Sequence, residues 1–193
     1  MSGLGSINLT NQFLIAMPGM ADDHFAGSVV YLCEHTERGA LGLVINKPID
    51  MAIANLFERV EMALDREGLA RVPVPFGAPG QTEPGFVLHD RRADDAAAYA
   101  SSLLVPGGLA MTTSRDVLEA LSGGNGPRRV LITLGYAGWG AGQLEDELSR
   151  NGWLTVDADP AIIFDTPAEQ RYQRALSLLG IDPAFLAQEA GHA

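Results

Sequence analysis

The sequence predicts a single soluble domain of the α+β class, and three observations carry that expectation. The chain has 193 residues with 47% apolar and 19% charged side chains, enough for one well-buried core and short for two. Short runs rich in Val, Ile and Leu are joined in some places by hairpin-like turns and separated in others by amphipathic helices. This irregular order excludes the regular βα alternation of a doubly wound parallel sheet and points to a mixed sheet. No repeat or low-complexity tract divides the chain, so residues 1–193 form one domain, with flexible ends expected at about 1–8 and 189–193.

The elements follow in order. "QFLIAMP" is an apolar run stopped by Pro18, short enough for a buried strand. "GSVVYLCEH" and "GALGLVIN", joined by "TERG", predict an antiparallel hairpin with strands near Ser28–Glu34 and Ala40–Asn46. Asp50 is placed to cap a helix through Ala52, Ile53, Leu56, Phe57 and Val60, whose spacing makes one apolar stripe, and Gly68 ends that region. Four prolines in "VPVPFGAPGQTEPG" leave room for a short strand and a long loop before a strand at Phe86–His89. "ADDAAAYASSLL" is helical by propensity until "VPGG" cuts it off, and "LAMT" is a short strand.

Thr113 and Asp116 have the spacing of a helix start, followed by Val117, Leu118 and Leu121 and stopped by Gly123-Gly124. "RRVLITLGY" is a buried strand. A glycine-rich stretch then leads into a helix from about Gly142 to Arg150, a stop at Asn151-Gly152, and a strand "WLTVD". Thr166-Pro167-Ala168-Glu169 combines an N-cap, a first-turn proline and a third-position glutamate, starting a helix that runs to Leu179 and ends at Gly180. Asp182-Pro183 repeats the signal for a short final helix.

Charge narrows the function classes. Twenty-four acidic residues face 12 arginines and one lysine, giving a formal net charge of -11. That balance repels DNA and anionic lipid, and the pairs Arg91-Arg92 and Arg128-Arg129 are too small for a binding stripe, so direct nucleic-acid binding is not expected. No apolar run is long enough for a signal peptide or a membrane span. The lone cysteine, Cys33, excludes an internal disulfide and fits a reducing compartment. A cytoplasmic protein is the expectation.

Two stretches invite chemistry. In "LGYAGWGAGQLEDEL" the glycines precede a helix, where phosphate loops occur, but Gln143 follows Gly142 where a Walker loop needs lysine, and the dinucleotide fingerprint is not matched. Glu145, Asp146 and Glu147 would repel an anion from the helix start. Glycine there permits positive backbone torsions and close passage beside Trp139 or a neighbouring strand. In "CEH" the two-residue period of a strand puts Cys33 and His35 on one face and Glu34 on the other. A thiol and an imidazole on one face can act as nucleophile and base or as two metal ligands; equally, Cys33 can be a small buried hydrophobe and His35 a hydrogen-bonded spectator. CxxC and HxxxH are absent, so neither a metal nor a cofactor is expected. Lys47 reads as a loop residue, and Trp139 and Trp153 either dock the acidic helix or face a partner.

Taken together, "FLIAMPGMADDHFAGSVVYLCEHTERGALGLVINKP", "GFVLH", "LGYAGWGAGQLEDEL" and "NGWL" resemble the YqgE/AlgH family of bacterial proteins, in the family's order and over about Leu9 to Gly180. The resemblance implies a mixed, strongly coiled sheet forming a small barrel-like core flanked by helices. A transcription-regulator label attaches to part of the family, which supplies no catalytic residues to carry over. The chain departs from the pattern at "GAPG" (Gly77 to Gly80), where the family has Gly-Gly-Pro-Val, and at Pro84, where the family has arginine.

Two functional expectations remain open. One is a protein that binds a macromolecular partner or small ligand, with a regulatory role, its surface drawing on His24, Cys33, His35, Asn46, His89 and Trp139. The other is an enzyme built from His24, Cys33, His35, Asn46 and His89, polar groups near strand ends, with Cys/His or metal-assisted chemistry.

Overall fold

The computed structural model describes residues 8–17, 27–52, 73–75, 85–90, 99–123, 127–134, 137–150 and 152–180. Its strands are β1 (Gln12–Ala16), β2 (Val29–Thr36), β3 (Gly39–Val44), β4 (Pro48–Ala52), β5 (Pro73–Pro75), β6 (Gly85–Asp90), β7 (Ser102–Val105), β8 (Leu109–Thr112), β9 (Val130–Leu134), β10 (Ala137–Gly140) and β11 (Trp153–Asp157). The helices are α1 (Arg115–Ser122), α2 (Gln143–Ser149), α3 (Pro160–Phe164) and α4 (Arg171–Leu178), the last preceded by a 3-10 turn at Ala168–Gln170.

Strand order is β10-β3-β2-β1-β11 in a five-stranded sheet and β7-β8-β6-β9 in a four-stranded one, with β4-β5 as a separate pair. The α+β class holds. In detail the sheet differs from the single mixed, barrel-like one expected: every ladder among the described residues is antiparallel, and the strands divide between sheets with no closed barrel. The tight turns at Glu37-Arg38 and Pro106–Gly108 are too short to join anything but antiparallel neighbours.

The five-stranded sheet is covered on both sides. One face sends Phe13, Ile15, Val29, Tyr31, Cys33 and Leu43 into a core shared with Leu88, Met111 and Leu131 of the second sheet and with Ile162, Ile163, Ala175 and Leu176 of α3 and α4. The opposite face sends Leu14, Ala16, Val30, Leu32, Val44, Trp139 and Trp153 against Leu144 of α2. Burial on both faces is why β1 and β2 read as unbroken apolar runs rather than alternations. Each fully buried Leu, Ile or Phe stabilises the fold by about 1.5–3 kcal/mol relative to exposure.

Several boundaries moved. Asp50 lies inside β4 rather than capping a helix, because the chain from Pro48 pairs with β5; residues 53–72, which would hold the rest of that helix, are outside the described set. The end of the "ADDAAAYASSLL" segment is strand β7, drawn into the sheet by pairing with β8. The cap of α1 is Ser114, one residue after Thr113. Asp116 supplies its electrostatics: its carboxyl is held below the usual range, first by the Ser114 hydroxyl and then by the Ala100 N–H. Thr166 does not cap a helix, since its hydroxyl donates back to the Ala161 carbonyl and a 3-10 turn intervenes before α4. The sequence reading also passed over α3, whose Asp159 cap accepts from the Ala161 N–H with Pro160 in the first turn. Leu179 and Gly180 do end α4. The helix expected at Asp182-Pro183 falls outside the described residues.

Candidate functional site

The hairpin of β2 and β3 carries a β-bulge that redraws the "CEH" motif. Leu32 pairs with Gly42 and Glu34 with Leu41, so Cys33 is the extra residue. Cys33 therefore keeps the face of Tyr31, inside the core shared by the two sheets. His35, opposite Ala40, emerges on the other face, under α2. The shared face expected for the thiol and imidazole does not exist, and the bulge is the physical reason.

Each of the two is committed to its own surroundings. Cys33 is 1% exposed, and burial, reinforced by the charge of Glu34, pushes its thiol up to about 12. Such a thiol is inert at neutral pH. His35 is also buried; its Nδ1 accepts from the Leu9 N–H at 3.0 Å, which puts the ring proton of the neutral imidazole on Nε2, 3.1 Å from the Glu145 carboxylate. Its backbone N–H donates to Thr10 Oγ1. The histidine thus ties the N-terminal segment and α2 to β2.

A second tie lies beside it. The indole N–H groups of Trp139 and Trp153 both donate to Glu147 Oε1, at 3.1 and 2.9 Å, with the rings edge to face at 6.1 Å. Glu147 Oε2 accepts from Gln143 at 3.3 Å. Both tryptophans are buried, so they dock the acidic helix from below. Two carboxylates of α2 are fixed inward in this way while Asp146 remains exposed, paired with Arg150 at 3.4 Å.

The glycine-rich stretch is an edge strand. β10 pairs with β3 from Ala137↔Gly42 to Gly140↔Gly39. A Cβ at Gly39, whose φ is +140°, would collide with the Trp139 carbonyl, so glycine is what lets β10 lie this close. Gly142, at φ +77°, turns the chain from β10 into α2 in the left-handed region, with no side-chain cap.

The remaining candidates lie elsewhere. Asn46 closes the base of the β2–β3 hairpin, accepting from the Val29 N–H and donating to the Gly27 carbonyl, both at 2.8 Å. His89, on β6 of the other sheet, is 3% exposed; Nδ1 meets the Asp90 carbonyl and Nε2 meets Thr112 Oγ1, each at 2.8 Å. His24 is outside the described residues. Of the six, His35 and Trp139 share one face of the five-stranded sheet, on either side of Ala40 under α2. Among the described residues no group of three His, Cys, Asp or Glu side chains is arranged to hold a metal ion.

Sequence reasoning missed Glu145 and Glu147 as partners of His35 and the tryptophans, because those contacts are set by tertiary packing. It also missed Arg171, which is buried and donates to the carbonyls of Thr166 and Ile45, pinning α4 to the end of β3; burial holds its guanidinium down at about 10. No local signal marks such an arginine.

The sequence profile of the AlgH-like family matches residues 13–184. The chain belongs to the AlgH-like family. A UPF0301 protein of Cupriavidus metallidurans is 67% identical over 187 residues, covering 97% of this chain and 96% of the relative. A UPF0301 protein of Ralstonia nicotianae is 66% identical over the same shares. The solution structure of the AlgH protein from Pseudomonas aeruginosa superposes with a TM-score of 0.76 at 48% identity, covering 100% of both chains. The crystal structure of a Corynebacterium diphtheriae protein shares the fold, with a TM-score of 0.66 at 20% identity over 94% of this chain and 91% of that one. None of these AlgH-like relatives carries an activity in its name. Among the described residues, no helix is long and apolar enough to cross a membrane.

Proposed function

We propose that this AlgH-like protein works in the cytoplasm by binding an extended, basic segment of a partner protein along the outer edge of β10, beside the carboxylates of α2. The observation that carries the reading is the edge itself. β10 ends its sheet among the described residues, its exposed positions Gly138 and Gly140 carry no side chain of their own, and Gln143 reaches the end of that edge, its Oε1 accepting from the Gly140 N–H at 2.9 Å. Edge strands are ordinarily blunted by charge, proline or a covering element, and a strand left open is a template for pairing with another chain.

Charge supports a basic occupant. Asp146 is exposed on the adjoining helix, with Glu145 and Glu147 turned inward behind it, in a chain whose net charge is -11. His35, Trp139 and Trp153 hold α2 in place, which lowers the ordering cost of binding. A role in regulating transcription would then run through a protein partner, because the charge opposes direct contact with DNA.

The test is a titration with a peptide of alternating lysine and valine, followed by tryptophan fluorescence, since Trp139 sits on β10 itself. Saturable binding that weakens with salt and with Asp146→Lys is the expected result. Absence of saturable binding, or binding indifferent to Asp146→Lys, would overturn the reading.

A further inference from the structure

Away from α2, the corner formed by β6, β7 and β8 holds a directed chain of hydrogen bonds that ends at an exposed hydroxyl. We infer that Ser102 is an activated nucleophile for acyl transfer, the outer end of a proton relay running through Thr112 to His89, with an apolar ester as its substrate class. This site is separate from the β10 edge and stands or falls independently of it.

The polarity of the chain follows from its inner end. The Asp90 carbonyl can only accept, so His89 Nδ1, 2.8 Å away, carries the proton of the neutral ring. Nε2 is then the lone-pair nitrogen, and the Thr112 hydroxyl at 2.8 Å donates to it. With its proton committed inward, Thr112 Oγ1 accepts from Ser102 Oγ at 2.7 Å. The same register that builds the sheet builds the relay: Ser102 is directly opposite Thr112, and His89 is Thr112's diagonal neighbour on the same face, since Val87 pairs with Thr112. His89 is 3% and Thr112 0% exposed, so bulk water does not compete for the two inner members, and the Tyr99 ring stands edge-on to the imidazole at 5.6 Å. Ser102 itself is exposed on β7, which ends its sheet among the described residues.

Two further features fit an acyl group. The Thr113 N–H donates to the Ser101 carbonyl, which makes that pair the hydrogen-bonded one; Ser102, next along, directs its own N–H away from β8, to the side on which no strand pairs with β7 among the described residues. A nucleophile's own N–H is well placed to meet a developing oxyanion. Leu104 lies two residues along β7 on the same face as Ser102, and at 42% exposure it is one of two large apolar side chains left open among the described residues. It offers an apolar shelf beside the hydroxyl.

The chemistry balances with water as co-reactant. Ser102 Oγ bonds to the ester carbonyl carbon, its proton passes to Thr112 Oγ1 as the Thr112 proton passes to His89 Nε2, and the carbonyl π pair moves to oxygen. Collapse of the tetrahedral adduct breaks the ester C–O bond, and the departing alkoxide takes the proton back from the relay. Water then attacks acyl-Ser102 by the same route, releasing a carboxylic acid and restoring the serine.

The probes are a fluorophosphonate, read by intact mass and peptide mapping, and the p-nitrophenyl esters of acetate and octanoate, read by nitrophenolate release. The expected result is one adduct per chain on Ser102, none in Ser102→Ala, labelling slowed at least tenfold in Thr112→Val and restored in Thr112→Ser, and faster release from the octanoate. Circular dichroism identifies any variant that fails to fold; if Thr112→Val does, the wild type, Ser102→Ala and Thr112→Ser decide alone. No adduct on the folded wild type, an adduct on another residue, or a folded Thr112→Val that labels at the wild-type rate would overturn the inference.

Discussion

Replacing Glu147 by alanine removes a single acceptor that two buried indoles share. In the native protein Trp139 and Trp153 donate to the same Oε1 at 3.1 and 2.9 Å. Hydrogen bonds to a charged group contribute about 1.5–3 kcal/mol each. Because Glu147 is half-exposed and water can reach part of the vacated site, the lower end applies, giving a loss of about 3 kcal/mol for the pair. For a chain of this length each kcal/mol moves the melting temperature by about 2–4 °C, so a fall of roughly 6–12 °C is expected. Glu147→Gln keeps a neutral acceptor in place and should lose less than half of that. Thermal unfolding followed by far-UV circular dichroism measures both variants, and near-UV dichroism reports whether the edge-to-face indole pair persists. A Glu147→Ala protein melting within 1 °C of wild type would refute the claim that this carboxylate holds α2 to the sheet.

Other consequences follow from the buried groups. Cys33 should resist iodoacetamide at pH 8 in the native protein and react rapidly once unfolded, as read by intact mass, because its thiol is pushed up to about 12. The same shift predicts a pH dependence. The folded value lies above the unfolded one, so the contribution to stability is complete below about pH 9 and is lost as pH rises toward 12, at up to about 1.4 kcal/mol per unit; urea unfolding of Cys33→Ala should show a shallower alkaline decline. Arg171→Ala leaves the carbonyls of Thr166 and Ile45 without their donor and should cost about 2–4 kcal/mol by the same denaturation assay. Gly39→Ala drives a Cβ into the Trp139 carbonyl, so amide exchange should show β10 opening ahead of β1 and β2.

The parts of the fold that rest on local pattern were legible in the sequence. β11 and β8 have the bounds their residues predict, and β1 and β2 announced themselves as apolar runs because both faces of their sheet are covered. What failed depended on a long-range partner. A glycine-rich segment bears no strand signal, yet Ala137–Gly140 is a strand because β3 supplies the pairing. Pro48–Ala52 pairs with β5 instead of starting a helix, and Thr166 finds the Ala161 carbonyl before it can cap anything. The bulge at Cys33 inserts one residue without a glycine or proline to mark it, and that residue alone separates the thiol from the imidazole. Trp139 and His35 were legible as residues of interest, but the carboxylates that hold them, with Glu145 110 positions along the chain from His35, were not.

The most direct test of the binding surface is a backbone amide map of the folded protein, recorded by NMR with and without the lysine-valine peptide at low salt. The binding account predicts shift changes concentrated in β10 and α2, residues 137–149, with Trp139 Nε1–H among those affected. Perturbations confined to other elements, or none at saturating peptide, would contradict it.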